Sequence, residues 1–178
     1  MRRIGAVVVA AMLGLALAAP AHAATFNMDS TADEPDANTG LAACATAAGD
    51  CTLRAAIDQA NADSSDSTIN LASGTYTLTG ANDEDSNASG DLDVLSRGFQ
   101  VTIAGAGART TVIDGGGLDR VLHVLVRSKL AVRGVTITGG LANDDLSDGG
   151  GIYMDGASTE TALTVVDSTI RGTGPRTS

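Results

Sequence analysis

The chain has 178 residues, 11 basic against 21 acidic for a net charge of −10, and only 2% aromatic residues with no tryptophan. So acidic a surface repels phosphate backbones, and so few rings leave few stacking platforms, which argues against nucleic-acid binding. The length and the abundance of Gly, Thr, Asp, Ala and Val predict one domain of thin strands and many turns.

The N-terminus reads as an export signal. Arg2 and Arg3 precede an uncharged run from Ile4 to Ala19, Pro20 breaks it, and Ala21-His22-Ala23 is a small-x-small site for a signal peptidase. Cleavage between Ala23 and Ala24 is expected, leaving a chain whose charge becomes −12 once Arg2 and Arg3 leave. The run is short and alanine-rich for a retained span, and no later stretch is long and apolar enough to cross a bilayer. A secreted, periplasmic or outer-surface location is therefore expected.

Thr25 to Met28 reads as a short strand, followed by a polar, turn-rich segment from Asp29 to Gly40. In an oxidising compartment Cys44 and Cys51 are expected to bond across the small loop between them. Zinc needs more ligands than two thiols, and the spacing is wrong for a C-x-x-C redox site. The one good helix begins at Leu53: Leu53, Ala56, Ile57 and Ala60 recur at helical spacing, Thr52 can cap the start and Asn61 can close the end. Its apolar stripe is expected to lie on the open end of a strand stack, where strand edges would otherwise be exposed.

Beyond Asn61 the texture is strand, turn, strand. Ile69 and Leu71, then Tyr76 and Leu78, alternate with polar residues, with a bend at Ala72-Ser-Gly74. Ala81 to Gly90 reads as a polar loop. Strand signals resume at Val101–Ile103, Val112 and Ile113, Leu122 and Val124, Leu130 and Val132, Val135 and Ile137, Ile152, Leu163 and Val165, and Ile170, with glycines between them. Two near-copies of one pattern, Leu130 to Gly139 and Leu163 to Gly172, lie 33 residues apart, and Val101-Thr-Ile103-Ala-Gly105 reads as a third partial copy 34 residues before Val135. A fixed period of this kind predicts stacked, equivalent coils, since one coil alone buries too few aliphatics to offset its ordering entropy. The polar run Leu141 to Asp148 reads as an insertion projecting from one face.

The phrase Cys51-Thr-Leu-Arg54-Ala-Ala56-Ile57-Asp-Gln-Ala60-Asn61, preceded by Ser30-Thr-Ala-Asp-Glu-Pro-Asp36 and an earlier cysteine, resembles the CSLREA motif of exported bacterial proteins. Thr111 to Arg120, Gly134 to Gly140 and Gly149 to Tyr153 are similar to the glycine-rich repeats that follow it there. The resemblance implies an all-β chain with a right-handed parallel β-helix of the polymorphic outer-membrane or adhesin-like kind. Residues 1–23 would be signal peptide, 24–66 an N-terminal cap region with one short helix, and 67–178 β-helix repeats. Ala55 stands where the motif usually has glutamate. The ending just after a strand, Gly172 to Ser178, carries no visible cap or anchor, so the repeats are expected to be truncated and to self-associate at the open end.

These readings predict a structural or adhesive protein with an unknown protein or polysaccharide ligand, no cofactor and no catalysis within this segment. The alternative is the N-terminal part of a carbohydrate-active lyase or hydrolase whose catalytic coils lie beyond Ser178; fold alone does not separate the two. The parts available for catalysis are sparse: Lys129 beside Arg127, an Asp144-Asp145 pair, and His123. By its alternation with Leu122 and Val124, His123 is expected to point outward into solvent. Calcium is the remaining specific expectation, placed on the acidic regions Asp83, Glu84, Asp85 (with Asp91 and Asp93) and Asp144, Asp145, Asp148. Neither matches an EF-hand loop or a glycine-rich nonapeptide repeat.

Overall fold

The computed structural model describes residues 23–81, 84–142, 149–156 and 158–175. The export signal through His22, and Asp83, Asp144, Asp145 and Asp148, lie outside the described residues. In chain order the elements are β1 (Ala24–Asn27), α1 (Leu53–Ala62), β2 (Ser67–Leu71), β3 (Gly74–Thr77), β4 (Leu92–Val94), β5 (Gln100–Gly105), β6 (Thr111–Asp114) and β7 (Leu122–Val124). Then come β8 (Lys129–Arg133), β9 (Thr136–Thr138), β10 (Leu141–Ala142), β11 (Ile152–Met154), β12 (Ala162–Val166), β13 (Thr169–Ile170) and β14 (Gly174–Pro175).

The strands form parallel ladders: β1-β2-β5-β8-β12, β3-β6-β9-β13, β4-β7-β11, and the short pair β10-β14. From β2 to β9 the chain visits the three larger ladders in fixed rotation, so each strand lies beside the strand three elements earlier. Like residues consequently pile into columns. Phe26, Ile69, Ile103, Val132 and Val165 share one register line, and Tyr76, Ile113, Ile137 and Ile170 another. Except for Val165 and Ile170, the residues of these columns belong to one hydrophobic core, which β-branched and aromatic side chains fill at low rotamer cost.

The 33-residue spacing holds in the register: Leu130 pairs with Leu163 and Ile137 with Ile170. The third partial copy is corrected. Val101 and Ile103 stack on Leu130 and Val132 in β8, and the residues above Thr136 and Ile137 are Val112 and Ile113. The misreading arises because strands of two different ladders carry the same short aliphatic-x-aliphatic pattern ahead of a glycine.

Glycine permits the tight corners between ladders. Gly139 has φ +68°, and a Cβ there would collide with the Asp114 carboxylate of the neighbouring layer.

The helix forms as its spacing predicts. Thr52 is the N-cap, its Oγ1 accepting from Ala55 N at 3.1 Å, and the disulfide Cys44–Cys51 ties the entry, with Cα atoms 5.2 Å apart. The end is later than expected: Asp63 caps the helix, and Asn61 has another task. Its amide donates to Asp93 O at 2.8 Å and accepts from Leu95 N at 2.8 Å, completing the free edge of β4 as a neighbouring strand would. Arg54 reinforces that edge, donating to Gly90 O at 2.7 Å and Asp91 O at 2.9 Å while its guanidinium pairs with Asp33 at 2.8 Å. The helix is therefore buried on nearly every side, Arg54 and Gln59 included. Among the described residues no helix is long and apolar enough to cross a membrane.

At the other end of the ladders Val165, Val166 and Ile170 are exposed, although the register partners Val132 and Ile137 are fully buried.

Candidate functional site

The described polar groups converge on the ladder β4-β7-β11. Register stacks Asp93, His123 and Tyr153 in one column, each flanked by aliphatic neighbours: Leu92 and Val94, Leu122 and Val124, Ile152 and Met154. Leu92, Val94, Leu122, Val124 and Ile152 belong to the core or pack against it, while Met154 is exposed. The polar column faces out, yet it is covered.

His123 is only 5% exposed, which corrects the expectation of a solvent-facing histidine. Alternation assigns a side chain to a face but does not say whether another segment lies over that face. Here the loop after β3 folds across it. The Glu84 carboxylate accepts from Ser86 N at 2.9 Å, Ser86 Oγ at 2.7 Å and Ser89 N at 2.7 Å, winding the loop tightly. These bonds hold the Glu84 carboxylate below the usual range despite its partial burial. The turn brings Asp85 over the imidazole.

Around the ring the distances are short. His123 Nδ1 lies 3.2 Å from Asp93 Oδ1 and 3.3 Å from Asp85 Oδ1, and Nε2 lies 3.3 Å from Asp155 Oδ1. Tyr153 stacks at a tilt on the imidazole, centroids 5.1 Å apart, and the Arg120 guanidinium sits 4.7 Å from the tyrosine ring centre. Asp93 uses Oδ2 to accept from Asn87 N at 2.9 Å. Its Oδ1 and His123 Nδ1 are buried with no aligned hydrogen bond, so their 3.2 Å approach is an ion-pair distance without hydrogen-bond geometry.

Electrostatics at the site oppose one another. Burial pushes the His123 imidazolium toward losing its proton, but Asp93 and Asp155 more than reverse this, leaving its pKa above the ordinary value. Burial raises Asp93 against the lowering influence of His123 and Asn87. Asp91 is pushed up to about 7, first by burial and then by the charges of Asp93 and Asp119, with His123 and Arg120 opposing. His123 and Asp93 are buried, and Asp85, with its side chain 70% exposed, is the member of the cluster that faces solvent.

The other candidates are dispersed. Glu84 is occupied within its own loop, and of the described acidic residues of that region Asp85 and Asp93 come together beside His123, whose imidazole nitrogen calcium does not favour. Arg127 adopts φ 64° in a turn and pairs with the exposed Glu160 at 2.8 Å, while Lys129 begins β8. Sequence reasoning passed over Asp155 and Tyr153 and misjudged His123. The available signal was the recurrence of aliphatic-x-aliphatic at Leu92, Leu122 and Ile152, each 30 residues from the next, with Asp, His and Tyr at the centre.

Comparison of the chain with known protein families, with curated proteins and with solved structures found no match.

Proposed function

We propose that the chain is an exported, right-handed parallel β-helix segment of the CSLREA kind, with a structural or adhesive role at or beyond the cell surface. Its fold reading is supported by the fixed rotation of the chain through three parallel ladders, and its exported location by the Cys44–Cys51 disulfide. The residues before β2 act as a cap: β1, α1 and the Arg54–Asp33 pair cover one end of the ladders.

The observation that carries the binding role is the apolar surface that β12 and β13 expose at the opposite end of the ladders among the described residues. Val165 is 39% and Ile170 46% exposed, and they line, with Ile152, Leu163 and Thr173, an open depression of about 410 Å³. An extended strand laid on β12 in parallel register would pair its backbone and cover these side chains, the same contact that each ladder already repeats. A second copy of this chain is the simplest occupant.

Light scattering of the purified mature chain tests this. Association is expected and should strengthen with salt, because added ions screen the repulsion between acidic copies. Val165→Lys should leave the far-UV circular dichroism unchanged and abolish association. A chain that stays monomeric at every salt concentration, or a variant that associates like the parent, would overturn the reading.

A further inference from the structure

We propose that Asp85, Asp93 and His123 bind a divalent transition-metal ion of the zinc class through Asp85 Oδ1, Asp93 Oδ1 and His123 Nδ1, with Asp155 orienting the imidazole from its other nitrogen.

The spacing of the donors is the first ground. The three atoms all lie within 4.8 Å of one another, and the two distances from Nδ1 are 3.2 and 3.3 Å. Ligands about 2.0–2.1 Å from a tetrahedral centre stand about 3.4 Å apart, so an ion fits among these atoms with little movement.

The second ground is independent of the acidic clustering. His123 Nδ1 and Asp93 Oδ1 are both buried and, though 3.2 Å apart, make no aligned hydrogen bond to each other or to any other group. Leaving two such groups unmade costs free energy that the fold otherwise avoids, and one cation satisfies them together. Asp93 has its other oxygen fixed by Asn87 N, which leaves Oδ1 as the free donor.

The third ground is the far side of the ring. Nε2 lies 3.3 Å from Asp155 Oδ1, and the other oxygen of Asp155 accepts from Val126 N at 3.2 Å. A carboxylate holding the second nitrogen of a histidine fixes the tautomer that offers Nδ1 as a ligand, the usual outer arrangement of metal-bound histidine. One nitrogen and two carboxylate oxygens suit zinc or a similar first-row ion better than calcium or magnesium. Asp85 has a side chain 70% exposed and forms the solvent-facing side of the site, where an ion can enter and water can serve as a further ligand.

The test uses the untagged mature chain, stripped with chelator and titrated calorimetrically with zinc chloride. One equivalent should bind. Asp85→Asn, an exposed change that leaves the core untouched, and His123→Gln should each abolish or severely weaken binding, while Asp155→Asn should weaken it about 10- to 100-fold. Glu160→Gln should bind as the parent does. Nitrogen-15 spectra of the imidazole give a readout separate from affinity: the zinc-loaded chain should show a metal-bound Nδ1 and a protonated Nε2. An imidazolium protonated on both nitrogens at stoichiometric zinc, or equal affinity in parent, Asp85→Asn and His123→Gln, would overturn the proposal in favour of a simple ion-pair cluster.

Discussion

Asn87 and Asp93 exchange two hydrogen bonds, Asn87 N donating to Asp93 Oδ2 at 2.9 Å and Asp93 N to Asn87 Oδ1 at 3.1 Å. The same asparagine donates through Nδ2 to Asp58 Oδ1 at 2.7 Å and Arg54 O at 3.2 Å, so one buried side chain joins the helix, the loop over His123 and the edge of β4. It does so at φ 61°, a conformation that asparagine tolerates better than other residues with a side chain. The helix and the His123 cluster are thus joined through this one asparagine.

Removing that joint should be expensive. Asn87→Ala strands several buried groups and keeps the backbone strain, whereas Asn87→Gly strands the same groups and relieves the strain. Losses of about 3–5 kcal/mol for alanine and about 1 kcal/mol less for glycine are expected from urea melts. Equal losses would mean that the backbone conformation contributes nothing.

How much of this was readable in advance differs between parts. The aliphatic columns were, because Leu130 and Leu163, or Ile137 and Ile170, carry periodicity directly in residue type. The N-cap at Thr52 was legible for the same local reason. Burial of His123 was not, since it depends on Glu84 winding a loop across the face of another strand, and no periodic signal encodes that covering. Asn61 misled in a similar way: its sequence position suits a helix end, but its amide is recruited by the edge of β4. Local patterns report which face a residue takes, and long-range polar contacts decide what that face meets.

Core register makes a sharper prediction. Ile137 is fully buried between Ile113 and Ile170, so Ile137→Asp places an unpaired carboxylate in the aliphatic column. A loss of more than about 4 kcal/mol, or failure to fold, is expected. Glu160→Ala, which removes only an exposed pair with Arg127, should change stability by less than about 0.5 kcal/mol. Thermal melts of the two variants compare them, and similar destabilisation would contradict the register.

The disulfide closes a short loop beside the helix entry, where Cys51 N donates to Asp29 Oδ1 at 2.7 Å. Restricting a loop of this size in the unfolded chain contributes about 2.5 kcal/mol in the chain-entropy model. The double variant Cys44→Ser, Cys51→Ser should lose roughly that amount and keep its β-rich circular dichroism. A reducing agent should destabilise the parent equally and leave the double variant unchanged.

The last prediction concerns pH in the metal-free chain, with chelator present throughout. Asp91 is buried, its Oδ2 has no hydrogen-bond partner, and Asp93 and Asp119 lie close enough to oppose its charge. A carboxylate whose folded pKa is raised from 3.8 to about 7 favours folding in its neutral form. That contribution is complete below pH 3.8, shrinks as the pH rises, and is gone once the pH passes 7. Asp93 and His123 are shifted in the same direction, so the parent should be more stable near pH 5 than near pH 8. Asp91→Asn stays neutral at every pH and should flatten part of this slope, gaining on the order of 2 kcal/mol over the parent at pH 8 and little at pH 4. Chemical denaturation of both chains across that range measures the difference directly. A difference that does not grow with pH would show that Asp91 ionises freely, with Arg120 or solvent compensating its burial.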